Sequence, residues 1–549
     1  MPDILIKNES GVDEIWPGVN TVRFFDKEGH LVSFRYGGDA VAEDTGHGIP
    51  PEGKTRVNFL DFDGNVYQAL LLDKGDDAFY PEKDPEKEGY VFVGWNYLEL
   101  DLEQVKSDII VGSMWRIAGY TEQDNVFRVR LRNGNLTSGV RWYGSGSNTF
   151  EVDWGDGSDL YTFTSSGSSS ISHTYATPGD YTIRFRKTAG SGSYWFGSGS
   201  SNSSSSYACC NYPSTLVEAQ ISSDVKYLYS SAFCYCTTLR RVYLPDSIIS
   251  IYSYCFYQCY NLEHIVIPTQ TTSIGYNSFT SNYSLRSISI PKKCTSLGSS
   301  LFYYCYSLYE VAIPYGTTNI SERMFSDCVS LTYVYLPDTI LTVTQYAFSN
   351  CYVLEGISRM DNAKSIGQYA FSGCGLLESV IHSDYLSSLG AYAFSGCKNF
   401  KKVKVPKNLT VLSSYAYNGC YKLEEVEFAD DSSLNIIYDY AFSYCYSMKR
   451  IEIPEGVTSI GSYVFQECRA LREVVFPSTL TTIYTYPFYY CYSLTDVYLH
   501  QTAVPSLSNN PFYNSTSAAL RIHVRAELLE AYKAAPYWNN YANFFVGDL

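Results

Sequence analysis

Apolar positions recur at a nearly fixed interval through the last three-fifths of the chain. The clearest are Phe233, Phe256, Phe279, Phe302, Phe325, Phe348, Phe371, Phe394, Tyr417, Phe442, Phe465, Phe488 and Phe512. The first nine are 23 residues apart, and the later gaps are 25, 23, 23 and 24. A period between about 20 and 50 residues marks a solenoid, in which each repeat buries its apolar face only against its neighbours. Within a period the pattern is Leu-x-x-Ile-x-Ile-Pro-x-x-Val-Thr-Ser-Ile-Gly-x-Tyr-x-Phe-x-x-Cys, nearly complete from Met448 to Cys468. It predicts a strand with Ile451 and Ile453 inward, stopped at Pro454, which cannot continue a ladder. Val457 and Ile460 are expected on the opposite wall, and Phe465 and Cys468 on one face of a short helical turn. Stacking about thirteen parallel turns at about 4.8 Å gives a rod or arc of roughly 60 Å.

The segments before the solenoid alternate differently. Ile4, Ile6, Val22, Phe24, Val32 and Phe34 suggest a small β module over residues 1–50. In a second unit, residues 54–116, Asp63-Gly64 between apolar runs is a hairpin signal, and Pro81 to Glu88 reads as an exposed loop. In a third, residues 124–188, Val152 and Trp154 share one side of a strand that ends in the turn Gly155-Asp156-Gly157. Pro178-Gly179-Asp180 is a second turn, feeding the alternation Tyr181, Ile183, Phe185. Residues 189–213 read as a Gly/Ser-rich linker. Its Tyr194-Trp195-Phe196 is expected to dock on the third unit or on the first repeat, because a free linker gains nothing from three exposed aromatics. The solenoid spans 214–516. A cap follows over 517–549, with a helix from Ala526 to Ala535 and Tyr537, Trp538 and Phe544 covering the last turn. The expected fold is therefore mainly β and multidomain.

Three of these segments resemble known families. Gly89-Tyr90-Val91-Phe92-Val93-Gly94-Trp95 resembles the Listeria–Bacteroides (internalin B-repeat-like) module, which implies a small β-rich spacer without activity. FEVDWGDGS and SHTYATPGDYTIRF resemble the PKD domain, implying an immunoglobulin-like sandwich. The 23-residue pattern closely resembles BspA-like leucine-rich repeats over about 300 residues from Leu216 onward, and the segment from Arg521 to Val546 resembles that family's terminal cap. Ser358-Arg359-Met360 and His382-Ser383 depart from strand-plus-proline, so the sheet is expected to be kinked there.

Composition narrows the chemistry. The net charge of −16 argues against nucleic acid or an anionic membrane surface as a partner. No run of 18 apolar residues occurs, so no membrane insertion is expected, and MPDILIKNESGVDEIWPGVN lacks the features of a secretory signal. Fifty-three tyrosines suit both cores and wet contact surfaces. Eleven of the 16 cysteines occupy one slot, three after the aromatic: Cys236, Cys259, Cys305, Cys328, Cys351, Cys374, Cys397, Cys420, Cys445, Cys468 and Cys491. Asn282 and Ser515 fill it elsewhere, so the slot needs a small side chain, and buried free thiols are expected rather than a metal site or disulfides. A disulfide among Cys209, Cys210, Cys234 and Cys255 is left open. Asp153, Asp156 and Asp159 are candidate Ca²⁺ ligands, against the plainer reading of turn residues bonding their own backbone.

Two outward columns flank the inward strand residue. From Lys402 onward their charges alternate, as in Lys402–Glu425–Arg450–Glu473 and Lys404–Glu427, so this half is expected to pair with itself and fix register. The first half, with Arg241, Tyr243, His264, Val266, Tyr333 and Tyr335, has few competing charges and is the candidate partner-binding patch. The plainer alternative is strand residues of good β-propensity. No nucleophile–base pair, phosphate loop or metal motif occurs, so neither an enzyme nor a cofactor is expected.

The modular order resembles adhesins of gut bacteria, and the first 40 or so residues resemble structural proteins of phages that infect such bacteria. A virion adhesin is the preferred reading, docked to other virion proteins by its N-terminal modules and binding a host-cell surface protein or glycan. A secreted or surface adhesin of a gut bacterium and a virion decoration without ligand are the alternatives, and a homo-oligomer is left open.

Overall fold

The computed structural model describes residues 48–198, 208–358, 360–379, 383–515 and 519–549, and of residues 1–47 the backbone of four strands. Those strands pair as two antiparallel hairpins, Ile4–Lys7 with Asp13–Trp16 and Val22–Phe25 with Leu31–Arg35. The inward alternation expected for the side chains of residues 1–47 lies outside the described residues, as do Arg359 and His382.

The second unit is a four-stranded sheet in the order Val66–Asp73, Lys54–Leu60, Ile109–Ile117, Tyr90–Trp95. Its first hairpin turns at Asp61–Asn65, where the Asp61 carboxylate accepts the amides of Asp63 and Asn65, both at 2.9 Å, and Gly64 takes φ 81°. One face buries Val57, Phe59, Leu70, Trp95 and Val111.

The third unit has two facing sheets. Trp142, from the sheet formed by Ser169–Thr174, Thr137–Gly144 and Tyr194–Trp195, packs 5.4 Å from Phe150 and 5.2 Å from Phe185 of the other. Tyr194 and Phe196 are buried in this core, and the Trp195 ring lies 5.2 Å from Tyr229 in the first repeat. That second sheet does not end with the unit. Asp124–Leu131 pairs antiparallel with Gly179–Gly190 on one side and with Leu216–Gln220 on the other, and Leu216–Gln220 pairs in parallel with Arg241–Tyr243. One continuous sheet therefore joins the third unit to the solenoid and covers the solenoid's first edge.

The solenoid has two columns of parallel strands in one-repeat register, such as Ile437↔Ile460↔Ile483 and Ile451↔Val474. The periodic aromatics stack inside it, with centroids from 5.0 Å for Phe233–Phe256 to 6.0 Å for Phe442–Phe465. The third wall is not the expected helical turn. Tyr463 and Glu467 take φ 57° and 61°, which a right-handed helix excludes, and the amides of Tyr463, Phe465 and Glu467 donate to carbonyls of the next repeat at 2.7–3.0 Å. Left-handed residues on either side of the aromatic turn these amides outward along the axis, which makes a further hydrogen-bonded ladder. In the outer column Gly356–Ser358 pairs in parallel with Tyr333–Tyr335, and the next described pair is Lys402–Val405 with Glu425–Phe428; the departure expected at His382 falls outside the described residues.

The chain's end also differs from expectation. The α-helix is only Leu529–Ala534, and Phe545–Gly547 adds a parallel strand beside Arg521–Val524. Tyr532, Trp538 and Tyr541 are the residues buried around Phe512, while Tyr537 is exposed and Phe544 only partly buried.

Candidate binding surfaces

Of the six outward residues expected to be open to a partner, five lie against the chain's own second unit and Tyr333 is half-buried at its edge. Strand Ile109–Ile117 crosses the solenoid strands from Arg241–Tyr243 to Glu310–Ala312. Arg241 donates to Asp63 Oδ1 at 2.7 Å and places its guanidinium 4.3 Å from the Phe62 ring. Tyr243 lies 5.6 Å from the Tyr90 ring and donates to Glu218 Oε1 at 2.5 Å. His264 Nδ1 sits 2.7 Å from Ser287 Oγ under Gly64, and burial pushes the imidazole pKa down to about 4. Val266 packs against Gly112. Tyr335 is 1% exposed against Leu60 and Ile110, with its hydroxyl 3.0 Å from Glu310 Oε2. Tyr333 lies against Gly48 and donates to Glu355 Oε2 at 2.7 Å.

This docking follows from small, uncharged side chains. Val266, Ser287, Ser289 and Ala312 leave a flat surface, and Gly64 and Gly112 let the second unit approach it. A Cβ on either glycine would come within 2.4–2.9 Å of the solenoid. The contact is also polar: Asn96 Nδ2 donates to Ile267 O at 2.9 Å, Tyr97 OH to Ile290 O at 2.9 Å, and Ile117 N to Gln220 Oε1 at 2.8 Å. Apolar outward positions therefore marked an internal interface, a distinction that strand periodicity alone does not make.

The later strands remain uncovered, and their charges pair across turns. Arg450 Nε lies 2.6 Å from Glu473 and its Nη2 2.9 Å from Glu452, while Lys402 lies 3.3 Å from Glu425. Glu427 takes its hydrogen bond from Lys402, not from Lys404 as expected. Such exposed pairs are each worth only about 0–1 kcal/mol and set register more than stability.

A second uncovered feature was not anticipated. Tyr346, Tyr369, Tyr392, Tyr415, Tyr440 and Tyr463 stack face to face over six consecutive repeats, with centroids 5.0, 4.5, 4.3, 4.5 and 5.0 Å apart. All six take left-handed φ of 54–59°, a conformation costing about 1–2 kcal/mol per residue. Ring stacking, at about 0.5–1.5 kcal/mol per pair, and the inter-turn amide bonds offset that cost. Arg323 caps the ladder 4.7 Å from the Tyr346 ring. The rings are half-buried and present edges and hydroxyls outward. Elsewhere on the later repeats Tyr352, Tyr385 and Tyr492 are 53%, 60% and 56% exposed. The consensus carried the signal, in the Tyr two before each Phe.

The model of the BspA type leucine rich repeat region matches residues 203–332, 318–448 and 435–530, in six copies. The chain belongs to this family. Repeats of the family's leucine-rich type are usually non-catalytic binding scaffolds. Among solved structures, a leucine-rich repeat protein from Bacteroides ovatus is similar at 24% identity and TM-score 0.40, covering 56% of this chain and 91% of that one. A leucine rich cell surface protein from Faecalibacterium prausnitzii is similar at 24% identity and TM-score 0.34, covering 51% and 89%. The pneumococcal vaccine antigen PcpA is similar at 14% identity and TM-score 0.36, covering 60% and 78%. Among curated proteins none matches.

All 16 cysteines are free and buried. The family's small-residue slot needs more than size: Cys305, Cys328, Cys351 and Cys374 donate their thiols to the carbonyls of Phe279, Phe302, Phe325 and Phe348 at 3.1–3.2 Å. Ser515 makes the same bond to Phe488 through its hydroxyl. Burial pushes these thiols up, to about 12 for Cys468. In the third unit Asp153 accepts Gly155 N at 2.9 Å, and Asp156 accepts Ser158 N at 3.1 Å and contacts His173 at 2.7 Å. Asp153 and Asp156 thus serve their turns, Asp159 is exposed, and among the described residues no His, Cys, Asp or Glu cluster could hold a metal ion. Among the described residues no helix is long and apolar enough to cross a membrane.

Proposed function

We propose that the chain is a non-enzymatic adhesion protein that presents the later repeats of its solenoid, above all the edge carrying the six stacked tyrosines, to a protein or glycan on another surface. The observation that carries this is the tyrosine ladder: a continuous, uncovered row of aromatic edges and hydroxyls, on a rigid array whose other apolar strand face is occupied by the chain itself. The second and third units, read as a Listeria–Bacteroides-like module and a PKD-like domain on their motifs, brace the start of the solenoid.

The proposed carrier is a phage virion, with other virion proteins holding the N-terminal modules and a bacterial host as the target. This rests on the resemblance of the first 40 or so residues. A bacterial cell surface is the second reading, favoured by the family, whose members are typically surface proteins. Tyr392→Ala with Tyr415→Ala should reduce attachment to target cells at least about tenfold while the fold is retained, and unchanged attachment would remove the ladder from the binding site. Mass spectrometry of purified particles and of shaved cell surfaces decides the carrier: the chain in particles supports the virion, and the chain on the cell surface alone overturns it.

A further inference from the structure

At the seam between the third unit and the solenoid lies a polar cleft of about 340 Å³. Along strand Asp124–Leu131, Phe127, Val129 and Leu131 face the core, so Arg128 and Arg130 face outward, followed by Arg132. Arg128 is neutralised by Glu218 at 2.6 Å, and Arg130 is held in a two-point pair with Asp180 at 2.8 and 2.9 Å. Arg132 lines the cleft with Arg240, which comes from the first repeat. Among the described residues neither has a carboxylate partner, in a chain of net charge −16.

The cleft exists because the ladder is irregular where the antiparallel sheet becomes parallel. The register between Asp124–Leu131 and Leu216–Gln220 shifts at Val217, a bulge that leaves this residue on the cleft wall, with its carbonyl accepting Arg240 N at 2.7 Å. Asn135 follows Arg132 in a tight turn, its amide donating to Arg132 O at 3.0 Å. On the far side Asn261 uses its Nδ2 on Thr237 O at 2.9 Å, which fixes its amide oxygen as an acceptor. Thr238 spends its hydroxyl proton on the carbonyls of Ser214 and Leu216, both at 2.8 Å, leaving oxygen lone pairs as acceptors.

We propose that this cleft binds a carboxylated sugar, its carboxylate between the Arg132 and Arg240 guanidiniums and its hydroxyls on Asn135, Thr238 and Asn261. Guanidinium forks match a planar carboxylate, the mixed amide and hydroxyl wall matches a polyol, and Val217 offers little to a purely apolar ligand. The volume fits one or two sugar rings. The inference stands apart from the tyrosine ladder, which lies on later repeats.

The test is calorimetric titration of the full chain with N-acetylneuraminic acid, digalacturonate, a neutral galactose disaccharide and inorganic sulfate. Binding of either acidic sugar, weakened at least about tenfold in both Arg132→Gln and Arg240→Gln, is expected, since a charge-assisted hydrogen bond is lost in each. Which acidic sugar binds identifies the source of the ligand. Arg469→Gln, elsewhere on the solenoid, should leave binding unchanged. Equal binding of the neutral disaccharide, sulfate binding as tight as either sugar, indifference of both arginine variants with folding intact, or no binding of either acidic sugar at millimolar concentration would overturn the proposal.

Discussion

Replacing Gly112 by alanine puts one methyl group into the seam between the second unit and the solenoid. Its Cβ would stand 2.7 and 2.8 Å from the two γ-carbons of Val266 and 2.9 Å from Ser289 Cβ, where carbon contacts prefer about 3.5–4.0 Å. Relief requires the sheet to lift by roughly 1 Å, and that lift also stretches the 2.9 Å bond from Asn96 to Ile267 O. Overpacking of this kind costs about 1–3 kcal/mol. The backbone works the other way: Gly112 has no left-handed φ, so alanine alone would stabilise a strand by about 0.5–1 kcal/mol. A net loss therefore diagnoses the seam. Val266→Ala removes both clashing γ-carbons, so the double variant should recover at least about 1 kcal/mol relative to the sum of the singles. Urea unfolding of the full chain gives the energies, and amide exchange over Ile109–Ile117 shows whether the loss is local. Stabilisation by Gly112→Ala, or additivity within about 0.5 kcal/mol, would refute the docked arrangement.

Tyr333→Ala with Tyr335→Ala should leave attachment to target cells unchanged while destabilising the seam by about 2–5 kcal/mol, read by cell binding and urea unfolding of the same protein. His264 contributes a pH-dependent term. Its folded pKa of about 4 lies below the ordinary 6.5, so on acidification the unfolded chain takes up a proton before the folded one. Stability present above pH 6.5 is thus lost as pH falls towards 4, by up to about 3 kcal/mol, and the difference in unfolding free energy between wild type and His264→Gln should slope only in that window. Cys374→Ser, which keeps a donor to Phe348 O, should cost less than Cys374→Val, which adds bulk and removes the donor, and thermal melts rank the two. Cys468, with its thiol raised to about 12, should resist alkylation at pH 8 until urea unfolds the chain, as peptide mass spectrometry reads.

The solenoid was legible because one period repeats a dozen times, and each copy reinforces the same inward positions. The wall bearing Phe465 and Cys468 was misread as helical because a three-residue spacing suits both a helix and a turn, and only the left-handed φ of Tyr463 and Glu467 separates them. The cysteine slot was legible in size but not in chemistry: the thiol bond to the carbonyl of the preceding repeat needs the stacked geometry to be seen. The paired charges at Arg450 and Glu473 were legible because strands one repeat apart sit directly opposite. The strip from Arg241 to Tyr335 was not, since a residue covered by another unit of the same chain and a residue waiting for a partner carry the same apolar signature. The tyrosine ladder was visible as a column, yet its exposure depends on which face the turn offers to solvent.

The chain's own second unit covers the early strand face, while tyrosines of the later repeats stay open to solvent. Mild tyrosine nitration of the native full chain, mapped by mass spectrometry, distinguishes the two sets. Tyr352, Tyr385 and Tyr492 should be modified rapidly, with Tyr243 and Tyr335 protected until the chain unfolds. Nitration of Tyr243 and Tyr335 at the rate of those exposed residues would contradict the covered arrangement.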